Sequence, residues 1–186
     1  VRCGAYPATG IQAPYNPLAP SAGSNRGSDT MVDAGQMVKK IQEMRDEGYL
    51  SDAILRETVK QIKASSTDYN FVGVYLFNEA DNELWLHNYM GESTEHAKIP
   101  VGKGVCGTAV AEKKNQNVPD VTAIDNYLAC SPRTKSELVV LIRAGDEIFG
   151  QIDIDCKKKD CFSQEAQESL ELIADKLAEV FVAERL

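Results

Sequence analysis

The stretch SELVVLIRAGDEIFGQIDID, residues 136–155, limits the fold more than any other part of the chain. Two strand-forming runs flank Gly145 and Asp146, the pattern of an antiparallel hairpin. In the second run side chains alternate between faces. Ile148, Gly150, Ile152 and Ile154 share one face, and Phe149, Gln151, Asp153 and Asp155 share the other. The apolar face must be covered by helices, whereas two alternating acids on the opposite face ordinarily mean a solvated surface.

The flanking segments supply the cover. From Asp33, Met37, Ile41 and Met44 recur at helical spacing up to a stop at Gly48, and Ser51 or Asp52 is placed to cap a second helix bearing Ile54, Leu55, Val59 and Ile62. NFVGVYLF, the turn NEADNE and LWLHNYM read as another hairpin. GVCGTAVAEKK reads as a glycine-rich turn into a short helix, QNVPDV as a short strand, and DNYLACSPRTK as an irregular connection broken by Pro132. Ser163 begins an amphipathic helix with Leu170, Ile173, Leu177 and Phe181. Two helices, antiparallel strands with an inserted helix and loop, and a closing helix predict an α+β fold. Residues 1–30, rich in Pro, Gly, Ala and Ser, read as a flexible linker, tail or expression remnant, leaving 31–186 as one domain.

A net charge of −8 argues against nucleic acid as the main partner. Lys157, Lys158 and Lys159 read as a solvated turn. No apolar run approaches the ~20 residues of a membrane span, and no signal sequence is apparent, so a soluble cytoplasmic protein is expected. Five cysteines, an odd number in a chain too large to need a disulfide framework, are then either buried apolar groups or reactive thiols. Cys156 and Cys161 lack a second ligand pair for zinc, so no metal site is expected. VGKGVCG lacks the spacing of a phosphate loop.

From about Asn70 onward the chain resembles a GAF domain. The resemblance is carried by GKGVCGTAVAEKKNQNVPDV, by KSELVVLI followed by GQIDID, and by the closing LELIADKLAEV. It implies a central antiparallel sheet with helices on one face and a small-molecule pocket on the other. IPVGKGVCGTA, AC, SELVV and IDID together are similar to the free methionine-(R)-sulfoxide reductases, stand-alone GAF enzymes. That narrower resemblance implies Cys130 as the attacking thiol and Cys106 as the resolving one. It implies Glu137, Asp153 and Asp155 as pocket acids, and Phe71 and Tyr75 as the aromatic wall at the methyl end. It further implies a thioredoxin-like reductant and no bound cofactor. The chain departs from the family at four positions: His96 stands where a further cysteine is common, Phe71 where tryptophan is usual, Ser131 where an acid often follows the cysteine, and Leu141 where proline is frequent.

The chemistry is coherent at these positions. Arg133 and Lys135 would lower the Cys130 pKa if they faced it. Crowded carboxylates raise one another's pKa, leaving one protonated as an acid. Each thiol taken alone reads as a small buried, inert residue, and only the pair in its motif context points to redox chemistry; His96, within GESTEHAK, reads as an exposed loop residue. The alternative function is a non-catalytic sensor that binds a small ligand or forms a homodimer through its terminal helices.

Overall fold

The computed structural model describes residues 31–128 and 131–185. Helices α1 (Ala34–Asp46) and α2 (Ser51–Ser65) precede the hairpin of β1 (Tyr69–Asn78) and β2 (Glu83–Gly91). Short β3 (Lys98–Pro100), α3 (Gly104–Glu112), β4 (Gln116–Val118) and a 3-10 turn (Val121–Ala123) follow. The hairpin of β5 (Ser136–Ala144) and β6 (Glu147–Cys156) leads into α4 (Gln164–Glu184). The strands form one antiparallel sheet in the order β3-β2-β1-β6-β5-β4, so the two long hairpins meet at its centre through β1 and β6.

Strand alternation sorts the side chains into two apolar clusters. Val72, Val74, Leu138, Val140, Ile142, Ile152 and Ile154 pack beneath α1, α2 and α4. Phe71, Tyr75, Val139 and Leu141 point the other way, against Val105, Cys106, Ala109 and Val110 of α3. Asp33 caps α1 by accepting from the Gln36 N–H, Gly48 turns the chain at φ +90°, and Ser163 caps α4 by accepting from the Ala166 N–H.

Four expectations are corrected. Ser51 and Asp52 do not cap α2. Leu50 holds the cap position, and the Ser51 N–H and hydroxyl both donate to the Glu184 carboxylate at the far end of α4. A distant carboxylate thus satisfies donors that a local side chain would have met.

The face assignment of β6 holds for residues 151–155 but fails nearer the turn. Ile142 pairs with Gly150 and Arg143 with Ile148, leaving Phe149 as the extra residue of a bulge. Phe149 therefore joins the helix-side cluster and stacks on Phe181 at 5.3 Å, while Ile148 packs on the α3 side. Gly150 is required here by close approach, since a Cβ would lie 2.1 Å from the Tyr75 carbonyl oxygen.

Cys156 and Cys161 form a disulfide with Cα atoms 6.4 Å apart. The turn after β6, with Asp160 at φ +51°, brings residue 161 back against the strand end. Spacing in the sequence gave no sign of this return. His96, expected as an exposed loop residue, is half-buried because its carbonyl lies over the sheet and accepts from the Tyr75 hydroxyl at 3.1 Å.

Candidate active site

The acids converge because two neighbouring strands present them on the same face. Glu137 of β5 pairs directly with Asp155 of β6, and Val139 with Asp153. All three acids are almost completely buried, Glu137 at 5% exposure and the aspartates at 1%. They line the face opposite Ile152 and Ile154, so the solvated-face reading of this pattern does not apply.

Helix α3 brings the thiol. Gly104 opens it at φ +61° with Leu128 packed where a side chain would begin, and Gly107 lets the helix rest on Pro100, whose carbonyl oxygen would be 2.4 Å from a Cβ. In the first turn between them, Cys106 is buried with its Sγ 3.8 Å from Glu137 Oε1.

Burial dominates the electrostatics. It pushes the Glu137 carboxyl well above its ordinary range, and the neighbouring Asp153 and Asp155 add to the effect while the Cys106 thiol opposes it. Burial raises Asp153 to about 7, again against the pull of Cys106. Asp155 is raised well above its ordinary range by burial and by Asp153, with Thr134 opposing and Glu92 reinforcing. These carboxyls therefore retain protons under conditions where surface acids are ionised. Both oxygens of Asp153 and Oδ2 of Asp155 reach no hydrogen-bond partner at normal geometry within the protein. So much unpaired buried polarity is a feature of ligand sites.

The aromatic wall is present but staggered. Phe71 lies across from Asp155 and Tyr75 across from Gln151. The Phe71 ring folds over Gly73, where a Cβ would meet it at 2.7 Å, and stacks on Tyr89 at 5.4 Å. Leu141 is buried in the same cluster.

Cys130 lies outside the described residues, so its relation to Arg133 and Lys135 is undescribed. Ser131, immediately after it, is buried and its hydroxyl bonds to the Glu92 carboxylate. Arg133 pairs with the same carboxylate at 2.7 Å. Lys135 is exposed, with its backbone N–H donating to the Cys156 carbonyl at 2.8 Å. No periodicity or motif points to Glu92, an acid in a polar turn, or to Tyr89 and Thr134 beside the site.

Ligand atoms of Cys106, Glu137 and Asp153 lie within 4.8 Å of one another, close enough for a metal ion. Three donors fall short of the four of a closed zinc site, and the proton affinity of the carboxyls opposes metal binding. A surface groove bordered by Met31, Met37, Lys40 and Ser65 lies against α1 on the opposite side of the sheet. Among the described residues no helix is long and apolar enough to cross a membrane.

The GAF domain family model matches residues 51–181, which takes in the whole sheet and the acid-bearing hairpin. The chain belongs to the GAF domain family. Among curated relatives, the free methionine-R-sulfoxide reductase of Escherichia coli is 34% identical over 128 residues, covering 69% of this chain and 76% of the relative. Among solved structures, the free methionine-R-sulfoxide reductase from Neisseria meningitidis, in complex with its substrate, matches with a TM-score of 0.76. It is 28% identical and covers 86% of this chain and 95% of that one. A putative GAF sensor protein from Burkholderia vietnamiensis matches with the same TM-score of 0.76 at 25% identity, covering 86% and 100%. This GAF chain is therefore similar in structure both to a reductase and to a protein described as a putative sensor.

Proposed function

We propose that this protein reduces free methionine-(R)-sulfoxide to methionine through thiol chemistry, with residues 31–186 as the working unit. The observation that carries the reading is the buried group of Glu137, Asp153 and Asp155 with the Cys106 thiol beside it. Similarity to reductases of this name supports it.

In this reading the Cys130 thiolate attacks the sulfoxide sulfur while Asp155, holding a proton, delivers it to the sulfoxide oxygen. Oxygen passes to Cys130 as a sulfenic acid and methionine leaves, two electrons having moved from the thiol to the substrate. The Cys106 thiol then displaces water from the sulfenic acid, forming a disulfide. A dithiol reductant of the thioredoxin class restores both thiols and is itself oxidised to a disulfide. Asp153 and Glu137 hold the substrate ammonium group, and Phe71 and Tyr75 form the apolar wall. A reducing, cytoplasmic setting suits this cycle.

The second reading, a non-catalytic GAF sensor using the same acids to hold a small ligand, is supported by the match to the Burkholderia protein. NADPH consumption with thioredoxin and thioredoxin reductase separates the two. Each methionine sulfoxide epimer is supplied free and peptide-bound. Turnover of the free R form alone is expected, and no turnover with any form refutes the reductase reading.

A further inference from the structure

One buried group in the site has no part in the mechanism so far. Gln151 lies on β6, on the same face as Asp153 and Asp155, and is completely buried. Neither Nε2 nor Oε1 of its amide reaches a hydrogen-bond partner within the protein. Its cross-strand neighbours are Tyr75 on β1 and Leu141 on β5, both members of the apolar cluster under α3. An unpaired primary amide in such surroundings is costly, and an apolar side chain of the same size would fill the space without that cost. The amide is therefore suited to a polar partner that arrives with the ligand.

The order of side chains along β6 indicates which part of the ligand that is. Asp155 stands at the end near Glu92, the residue that holds Ser131 and Arg133 just beyond Cys130 in sequence. Asp153 occupies the middle, with Glu137 and Cys106 around it. Gln151 stands at the other end, about 13 Å from Asp155 along the strand. Extended methionine sulfoxide has its sulfur at one end and its carboxylate at the other, with the ammonium group beside the carboxylate. The substrate is shorter than that span, so with sulfur near Asp155 and ammonium near Asp153 the carboxylate lies beside Asp153 on the side toward Gln151, where the long Gln151 side chain reaches it by extending toward Asp153.

We infer that Gln151 binds the α-carboxylate of the free amino-acid substrate, its Nε2–H donating to a carboxylate oxygen. The inference rests on the reductase reading above and deepens it. An amide N–H bonded to a carboxylate is a charge-assisted hydrogen bond, stronger than one to a neutral carbonyl. A neutral donor also avoids placing a buried cation beside Asp153, which would take up the charge meant for the ammonium group. The acids and Gln151 together then recognise both charged groups that a methionine within a peptide lacks.

The test compares free methionine-(R)-sulfoxide with its C-terminal primary amide, which keeps the ammonium group and the sulfoxide. The wild type should prefer the acid by about tenfold or more in kcat/KM, the equivalent of one charge-assisted hydrogen bond. In Gln151→Met the preference should fall to within about twofold, through KM, with an unchanged or higher Tm because the unpaired amide is gone. Gln151→Asn, which keeps the amide but shortens its reach, should lose part of the preference and serves if the first variant does not fold. The inference is overturned if the wild type treats both compounds alike, if the variants keep the full preference, or if they lose rate equally on both. A wild type inert toward both compounds overturns the reductase reading and this inference with it.

Discussion

Replacing Asp153 by Asn tests the electrostatic account of the site most directly. Burial raises the Asp153 carboxyl from 3.8 to about 7 in the folded protein. Below the lower value both folded and unfolded chains hold the proton, and this group contributes nothing to the pH dependence. Between the two values the folded chain holds a proton that the unfolded chain has released, so stability falls as pH rises. Above the higher value the loss levels off at about 4 kcal/mol. Between about pH 5 and about pH 8 the wild type should lose about 3 kcal/mol through this group, a loss absent from Asp153→Asn. Asn at 153 also removes the charge that raises Glu137 and Asp155, so the difference between the two slopes reports Asp153 together with its effect on those two carboxyls. Urea denaturation across that range measures it. The same variant should lose about tenfold or more in kcat/KM, because Asn cannot offer a carboxylate to the ammonium group. Parallel pH slopes would show that Asp153 ionises as an exposed aspartate does, and unchanged kinetics would remove it from the substrate site.

Cys130→Ser should abolish sulfoxide reduction while leaving the circular dichroism spectrum unchanged, and wild-type turnover in the variant would reject Cys130 as nucleophile. Substrate without reductant should link Cys106 to Cys130 on peptide mapping. A persistent sulfenic acid with rapid turnover, or no new bond beyond Cys156–Cys161, would reject Cys106 as resolver. Gly73→Ala should displace the Phe71 ring, raise KM several-fold and cost about 1–3 kcal/mol in denaturant titrations. An unaltered KM would separate that ring from substrate binding.

The core of this fold was legible wherever side-chain period and layer agreed. The alternation of Ile152 and Ile154 against Asp153 and Asp155 identified both faces of β6, because those four residues lie in an undistorted stretch of ladder. It misplaced Ile148 and Phe149 because a bulge is a property of two paired strands, and nothing in one strand alone announces it. Ser51 was misread for a similar reason: its partner, Glu184, is 133 residues away, and capping rules see only neighbours. In the site, the grouping of Cys106 with the acids came from the resemblance to known reductases, with period placing the two aspartates on one face. What remained hidden was burial itself. The same two alternating aspartates would be a solvated face on an uncovered sheet, and the cover over this one, with Cys106 of α3 beside Asp153 and Thr134 beside Asp155, turns them into proton-holding groups. The roles of Glu92 and Thr134 depend on loop paths that no periodicity encodes.

The Cys156–Cys161 bond changes what a thiol count on this protein means. The sequence holds five cysteines, and with one bond already formed at most three can react with a thiol reagent in the state described. A catalytic cycle stopped at its disulfide would leave at most one. A strong small-molecule dithiol that opens both bonds would reset the starting count, so the loss of two thiols on adding substrate is interpretable only if the state of the second pair is fixed first. Tryptic mapping before and after substrate does this, because the five-residue separation of Cys156 and Cys161 gives their bond a fragment pattern distinct from that of any bond involving Cys106.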